Sequence, residues 1–265
     1  MNSYFASVEQ QANPFLRGKP IGVTGKAKAA ASGKATRSII SAASIEAKRM
    51  GIKGIMSTWQ AKRACPSLIF VQGDMTKYNN ITKRFNEIFS CYTDQVEVFS
   101  VDESFLDITS SAKDYLGAIA IAQMIKHDLK RNCGKRITCS IGIGSNKLMA
   151  KLASEQIKPD GLTIVRPGEE ETFLDTCALQ DLCGIGPRIY KRLFTMGITN
   201  FQELRKTPLT LLQTEFKSYG NWLYAAARGN GDNQVISELA DPKSMGHSYT
   251  LPEDTYDEAT LRRTL

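Results

Sequence analysis

Histidine and tryptophan are the scarcest residues, with two of each; the histidines are His127 and His247. Neither sits at zinc-finger spacing from a cysteine, and none of the six cysteines (Cys65, Cys91, Cys133, Cys139, Cys177, Cys183) forms a C-x-x-C pair. A structural zinc site needs four such ligands at close spacing, so that class is excluded. Six reduced thiols in a reducing compartment is the expectation. No apolar run approaches the roughly 18 residues of a membrane span. Met-Asn-Ser-Tyr-Phe at the N-terminus lacks the basic-then-apolar layout of a signal peptide. A cytoplasmic protein is expected. Acid is missing from one long stretch: between Arg17 and Arg63 there are eleven Lys or Arg and a single acid, Glu46. A segment of one sign attracts phosphates, whether of nucleic acid or of nucleotides, unless it is merely a solvated face.

What is present suits a globular chain. Apolar residues make up 42% of 265 positions, enough for two or three small cores. The opening residues alternate and suit the end of a strand leading into a helix, broken at Asn13-Pro14. Ile21-Gly22-Val23 reads as a strand, and residues 24–38, rich in Gly, Ala, Ser and Lys, as a loop or loose hairpin. Short helices fit Ile45 to Met50 and Thr58 to Cys65. A longer one fits 76–93, where Ile81, Phe85, Ile88 and Phe89 recur near a 3.6 period. Two alternating runs, 96–101 and 104–108, flank Asp102-Glu103 and predict a β-hairpin. An amphipathic helix follows at 117–132 and a strand at 137–143. Ser145-Asn146-Lys147 can cap a helix running to about Ile157. Pro159-Asp160-Gly161 is a turn, and 162–165 a strand. The expected core is a sheet of antiparallel strands with helices on one face, with the basic segment, roughly 11–74, inserted into it. From 168 to 231 only short helices are read. A short strand is read at 248–251, in an otherwise polar tail.

Four features could carry chemistry. Asp102 and Glu103 at a hairpin tip can converge on one point, where two carboxylates repel unless a cation lies between them. Hard oxygen ligands with room for water favour Mg²⁺, and phosphoryl transfer uses such clusters; a solvated acidic turn is the bland alternative. Gly184-Ile185-Gly186-Pro187, followed by Arg188, Lys191 and Arg192, is a glycine turn opening a helix. Its N–H groups and dipole can hold a backbone phosphate. Lys158 sits on the turn before Asp160, as an exposed lysine or a phosphate contact. Tyr4-Phe5 is an aromatic pair near a strand end, where core packing is the ordinary fate.

Taken in order, Tyr-Phe-Ala-Ser-Val-Glu-Gln (4–10), Ser-Val-Asp-Glu-Ser-Phe-Leu-Asp (100–107), Cys-Ser-Ile-Gly-Ile-Gly-Ser-Asn-Lys-Leu-Met-Ala-Lys-Leu-Ala-Ser (139–154), Lys-Pro-Asp-Gly (158–161) and Leu-Cys-Gly-Ile-Gly-Pro (182–187) resemble the Y-family, or translesion, DNA polymerases, of the DNA polymerase IV type. The resemblance runs along nearly the whole chain, and the second and third motifs are long and specific.

The resemblance implies an α+β fold: a ferredoxin-like palm (1–10 and 75–166) with inserted fingers (11–74). A small all-α helix–hairpin–helix thumb (167–232) and the start of an incomplete little finger (233–265) would follow. It implies DNA-directed synthesis by a two-Mg²⁺ mechanism in translesion synthesis and repair. Primer–template DNA, deoxynucleoside triphosphates and a sliding clamp would be the partners, and no membrane. Asp102 and Glu103 would be catalytic and would hold the metals together with the backbone carbonyl of Met1. Phe5 would be the steric gate against a ribose 2′-hydroxyl. Tyr4, Ile45, Lys48 and Lys158 would line the nucleotide site. Gly184, Ile185, Gly186, Arg188 and Lys191 would hold the DNA backbone.

Three departures stand out. The family's first catalytic Asp lies immediately before the position of Met1, and Asn2 does not replace it. This predicts further residues encoded upstream, and a poor polymerase in the chain as written. Ile45 takes the place of a Tyr that hydrogen-bonds the triphosphate, which implies a weaker nucleotide grip. Most of the little finger is missing. Two other readings remain: a DNA-binding fragment without efficient catalysis, and a nucleotidyl-cyclase-like palm. A cyclase has no duplex to hold, so the thumb turn and the basic insert speak against it.

Overall fold

The computed structural model describes residues 1–25, 38–238, 244–246, 248, 251 and 255–264. Two compact units emerge, one of residues 3–83 with 238–265, the other of Met1 and Asn2 with 84–237. The expected loop at 24–38 falls largely outside the described residues, as do the two middle positions of the expected strand at 248–251 and 12 of the 33 residues of the expected start of a little finger (233–265).

The first unit opens with α1 (Tyr4–Ala12). A strand end leading into a helix is expected here; the helix forms, but no strand precedes it among the described residues. Instead Ser3 adopts a left-handed conformation (φ 47°) and turns the chain straight into the helix. Tyr4, Ala6 and Val8 are buried and set its inner face. Glu9 is buried as well, and Lys77 (2.8 Å) and the Tyr78 hydroxyl (2.8 Å) satisfy it. A buried carboxylate without such partners would cost several kcal/mol or take up a proton.

Strand β1 (Ile21–Thr24) is buried along its whole length because it is the central strand. It pairs antiparallel with β2 (Ile40–Ala43) and parallel with β3 (Ile69–Gln72). Between β2 and β3 run α2 (Ile45–Arg49), capped by Ser44, and α3 (Thr58–Ala64), opened by a Ser57/Gln60 capping box. Caps of this kind satisfy N–H groups that short helices leave open. Ile40, Ala47, Ile52, Ala61 and Leu68 close this core. The first part of α4 (Met75–Ser90) completes the unit.

In the second unit β4 (Val96–Ser100) and β5 (Glu103–Leu106) form the expected hairpin, with a register shift between Val98 and Ser100. Asp114 caps α5 (Tyr115–Asn132), which buries Ala118, Ile121, Ala122, Ile125 and Leu129. Strand β6 is shorter than expected, Ile141–Ile143. Asn146 caps α6 (Lys147–Gln156), and β7 (Leu162–Ile164) follows.

The expectation of antiparallel strands fails here, since β6 and β7 run parallel, as β1 and β3 do. A helix between two strands returns the chain to the end from which the first strand started, so the second must run the same way. Glycine allows this unit to close up. A Cβ at Gly142 would lie 2.0 Å from the carbonyl oxygen of Ala150, so β6 packs directly on the α6 backbone.

Beyond β7 the elements among the described residues are all helical: α7 (Glu170–Asp175), α8 (Pro187–Thr195), α9 (Phe201–Lys206), α10 (Leu209–Phe216) and α11 (Ser218–Ala226). Leu174, Leu193, Phe201, Leu204, Leu212 and Leu223 form one core, which also takes in Met149 and Leu152 from α6. The helical segment is thereby fixed to the β6–α6–β7 element. A last helix spans Glu258–Thr264. The six cysteines are all unpaired, as expected. Among the described residues no helix is long and apolar enough to cross a membrane.

Candidate active site and DNA-binding turn

The β4–β5 hairpin pairs Ser100 with Glu103 and leaves Val101 and Asp102 in the turn. The Ser100 hydroxyl donates to Asp102 Oδ1 (3.1 Å), which fixes the carboxylate at the tip. Glu103 Oε1 accepts from Lys151 Nζ on α6 (2.7 Å). Lys151 lies 5.3 Å above the Phe99 ring, and Lys147, one helical turn earlier, pairs with Glu97 at 3.0 Å. Two lysines on one face of α6 thus meet two glutamates of the hairpin. Lys151 was not singled out from sequence. The available signal was the Lys147/Lys151 spacing of four on a capped helix that follows a strand.

The amino group of Met1 donates to the backbone oxygen of Asp102 at 2.6 Å. Burial pulls the pKa of this ammonium below its ordinary value, and Lys158 adds to that, while Asp102, Cys139 and Glu103 oppose it. For Glu103, burial pushes the carboxyl up, but the Lys151 hydrogen bond and charge, the Met1 ammonium and Lys158 outweigh it. Its pKa falls below the ordinary carboxylate value of 4.5, so Glu103 is ionised at neutral pH.

Met1, Asp102, Glu103, Lys151 and Lys158 all line one open cleft of about 220 Å³. Lys158 pairs with Glu155 (2.6 Å) at its edge, on the expected turn. The donor set of carboxylate oxygens and a main-chain carbonyl suits a hard cation such as Mg²⁺. It is a short set, because among the described residues no three acidic, His or Cys side chains converge. Lys151 already neutralises part of it.

The remaining candidates for the nucleotide site lie in the first unit. Tyr4 is buried, with its hydroxyl hydrogen-bonded to the Tyr78 carbonyl (2.8 Å) and to Thr82 (2.9 Å). Phe5 is half-buried and stacks on Tyr78 with ring centroids 4.3 Å apart. Tyr78 is itself held by Glu9; burial first, and then the hydrogen bond to Glu9, raises its phenol well above the ordinary value. Phe5 therefore presents its ring from a rigid support. Ile45 is the half-buried first residue of α2, and Lys48 is exposed on the same helix.

In the helical segment beyond β7, Gly184 (φ 113°) and Gly186 serve different needs. A Cβ on Gly184 would come within 2.6 Å of the Trp222 ring, and the Gly184 oxygen accepts from the Tyr219 hydroxyl (2.7 Å). Tyr219 and Trp222 stack on each other and brace the turn. Ile185 is buried and anchors it. Gly186 is the N-cap of α8, and a Cβ there would meet nothing. Its glycine leaves open space in front of the helix N-terminus, where backbone N–H groups face outward. Arg188 and Lys191 are exposed on the first turns of α8.

Comparison with known proteins bears on both sites. A family model described as the impB/mucB/samB family matches residues 1–155. A second, described as the thumb domain of DNA polymerase-iota, matches residues 180–231. A DNA polymerase IV of Bacteroides fragilis (strain YCH46) is 37% identical over 261 residues, spanning 98% of this chain and 69% of the relative. A DNA polymerase IV of Streptococcus pyogenes serotype M1 is 37% identical over 262 residues, 99% of this chain and 70% of the relative. Among solved structures, DinB from Sulfolobus solfataricus superposes with a TM-score of 0.79 at 26% identity, over 89% of this chain and 67% of that one. An insertion ternary complex of Dbh DNA polymerase gives 0.79 at 28% identity, over 88% and 67%.

Proposed function

The chain belongs to the Y-family of DNA polymerases, and on that premise we propose that it copies primed DNA by nucleotidyl transfer at the Asp102–Glu103 hairpin, in translesion synthesis. The observation that carries this reading is the convergence of two carboxylates, the Met1 carbonyl position and Lys158 on one cleft. Asp102 and Glu103 would hold Mg²⁺, with the Met1 carbonyl as a further ligand. When bound, such ions lower the pKa of an attacking oxygen and neutralise charge on a leaving pyrophosphate. The chain's own residues bind and orient. Lys158, on the cleft, draws the triphosphate. Tyr4 fixes the start of α1, so that Phe5 closes the space a ribose 2′-hydroxyl would need. Ile45 offers no hydrogen bond, and nucleotide affinity is correspondingly modest. The turn Gly184-Ile185-Gly186 takes a backbone phosphate without reading sequence, helped by Arg188 and Lys191. The segments 1–10 with 75–166, 11–74 and 167–232 are proposed as palm, fingers and thumb.

Equilibrium binding to primer–template DNA tests this. Affinity is expected to fall steeply with salt, by roughly one power of the salt concentration per phosphate neutralised, with little preference for base sequence. Fluorescence anisotropy across an ionic-strength series measures it. A flat response sinks the reading.

If Phe5 is the gate, Phe5→Ala lowers discrimination against ribonucleotides by roughly 10²-fold, because a clash is removed rather than a contact added. Single-nucleotide incorporation with paired deoxy- and ribonucleotides reads this out. Unchanged discrimination returns Phe5 to a packing role on Tyr78.

A further inference from the structure

Helix α3 buries one side chain, Ala61, and turns its other face to solvent. On that face stands Trp59, with 62% of its surface exposed. Arg63, one turn later, lays its guanidinium over the ring at 4.7 Å. Trp59, Gln60, Arg63 and Ala64 line a shallow recess. Among the described residues Arg63 makes no ion pair, and its charge is spent on nothing but the ring. The tryptophan does not build the core, whose members are Ile40, Ala47, Ile52, Ala61 and Leu68. Among its described residues the segment from Arg17 to Arg63 carries seven Lys or Arg and one acid, Glu46. An exposed ring backed by an arginine, in strongly positive surroundings, is the arrangement that takes an unpaired nucleobase. The base stacks on the free face of the indole, and its phosphates meet the positive field. An apolar or acidic protein partner would explain the ring or the charge, but not the two together.

We infer that Trp59 and Arg63 form a stacking site for an unpaired base of single-stranded DNA, such as a template overhang. This rests on the DNA-binding reading above and adds a contact to it. Two primed substrates separate them, one with a 5′ template overhang and one blunt-ended. Trp59→Ala is expected to weaken binding to the overhang substrate roughly tenfold and to leave blunt-duplex binding unchanged. Trp59→Phe, which keeps a stacking face, is expected to recover most of the loss. Thermal melting should be nearly the same for all three proteins, because the ring is solvent-exposed. Equal losses on both substrates would make Trp59 a duplex contact and overturn the inference. No loss on either would also overturn it and leave the surface to a protein partner. If the unaltered chain binds neither substrate, the DNA-binding reading itself fails, and this one with it.

Discussion

Asp102→Asn or Glu103→Gln is expected to cut nucleotide incorporation by at least about 10³-fold, while affinity for primed DNA stays the same or tightens slightly. Both changes remove a charge and keep the shape. In Asp102→Asn the amide oxygen can still accept from Ser100, and the Met1 contact is to the main chain, so the hairpin tip keeps its geometry. In Glu103→Gln, Lys151 loses an ion-pair partner but keeps its place over Phe99. The pair is partly solvent-exposed, so the loss of stability stays under about 1 kcal/mol. Removing a negative charge near the primer end cannot weaken phosphate binding by Coulomb's law. Incorporation rates and DNA affinity measured on the same preparations decide the matter. If both variants lost DNA binding along with cooperative melting, the acidic pair would be structural and the assignment of the site would fall.

Much of this arrangement was legible in the residues. The hairpin was readable because two alternating runs flank two acids, and α5 because Ile121, Ile125 and Leu129 share a face. The direction of pairing was not read, although its cause was present. A capped helix between 141–143 and 162–164 forces parallel strands, and this local rule outweighs a general preference for antiparallel pairs. The start of α1 depended on a single left-handed residue, Ser3, which no periodicity reveals. Lys151 lies 48 positions from Glu103, so their ion pair needed the fold to bring them together. The turn at 184–186 was readable from its two glycines. That Gly184 is needed for packing against Trp222 while Gly186 leaves space in front of a helix depends on the fold, which sets Trp222 38 positions later against the turn.

A polypeptide of these 265 residues alone is expected to extend primers at least about 10³-fold more slowly than the same polypeptide with Val-Asp placed ahead of Met1. Asp102, Glu103 and Glu155 line the cleft, but Glu155 is paired with Lys158, and among the described residues no three such side chains come together as a metal site. A free amino group at Met1 lies 2.6 Å from the Asp102 carbonyl; burial lowers its pKa, and the positive charge it keeps stands close to where cations would have to bind. At an effective dielectric of about 20, two unit charges 4 Å apart repel by roughly 4 kcal/mol, enough to expel a weakly held ion. A peptide bond at Met1 removes that charge, and an added Asp supplies a further oxygen ligand. A companion extension of Val-Asn separates the two effects, since it removes the ammonium without adding a carboxylate. It is expected to stay within roughly tenfold of the 265-residue chain, because losing a repulsion does not create a ligand. Primer extension and isothermal titration with Mg²⁺ on the three polypeptides make the comparison. If Val-Asn restored as much activity as Val-Asp, the ammonium would be the whole obstacle and Asp102 and Glu103 would suffice as side-chain ligands. If the 265-residue chain extended primers as fast as either, neither the missing carboxylate nor the terminal charge would matter, and the chemistry would have to be sought away from this hairpin.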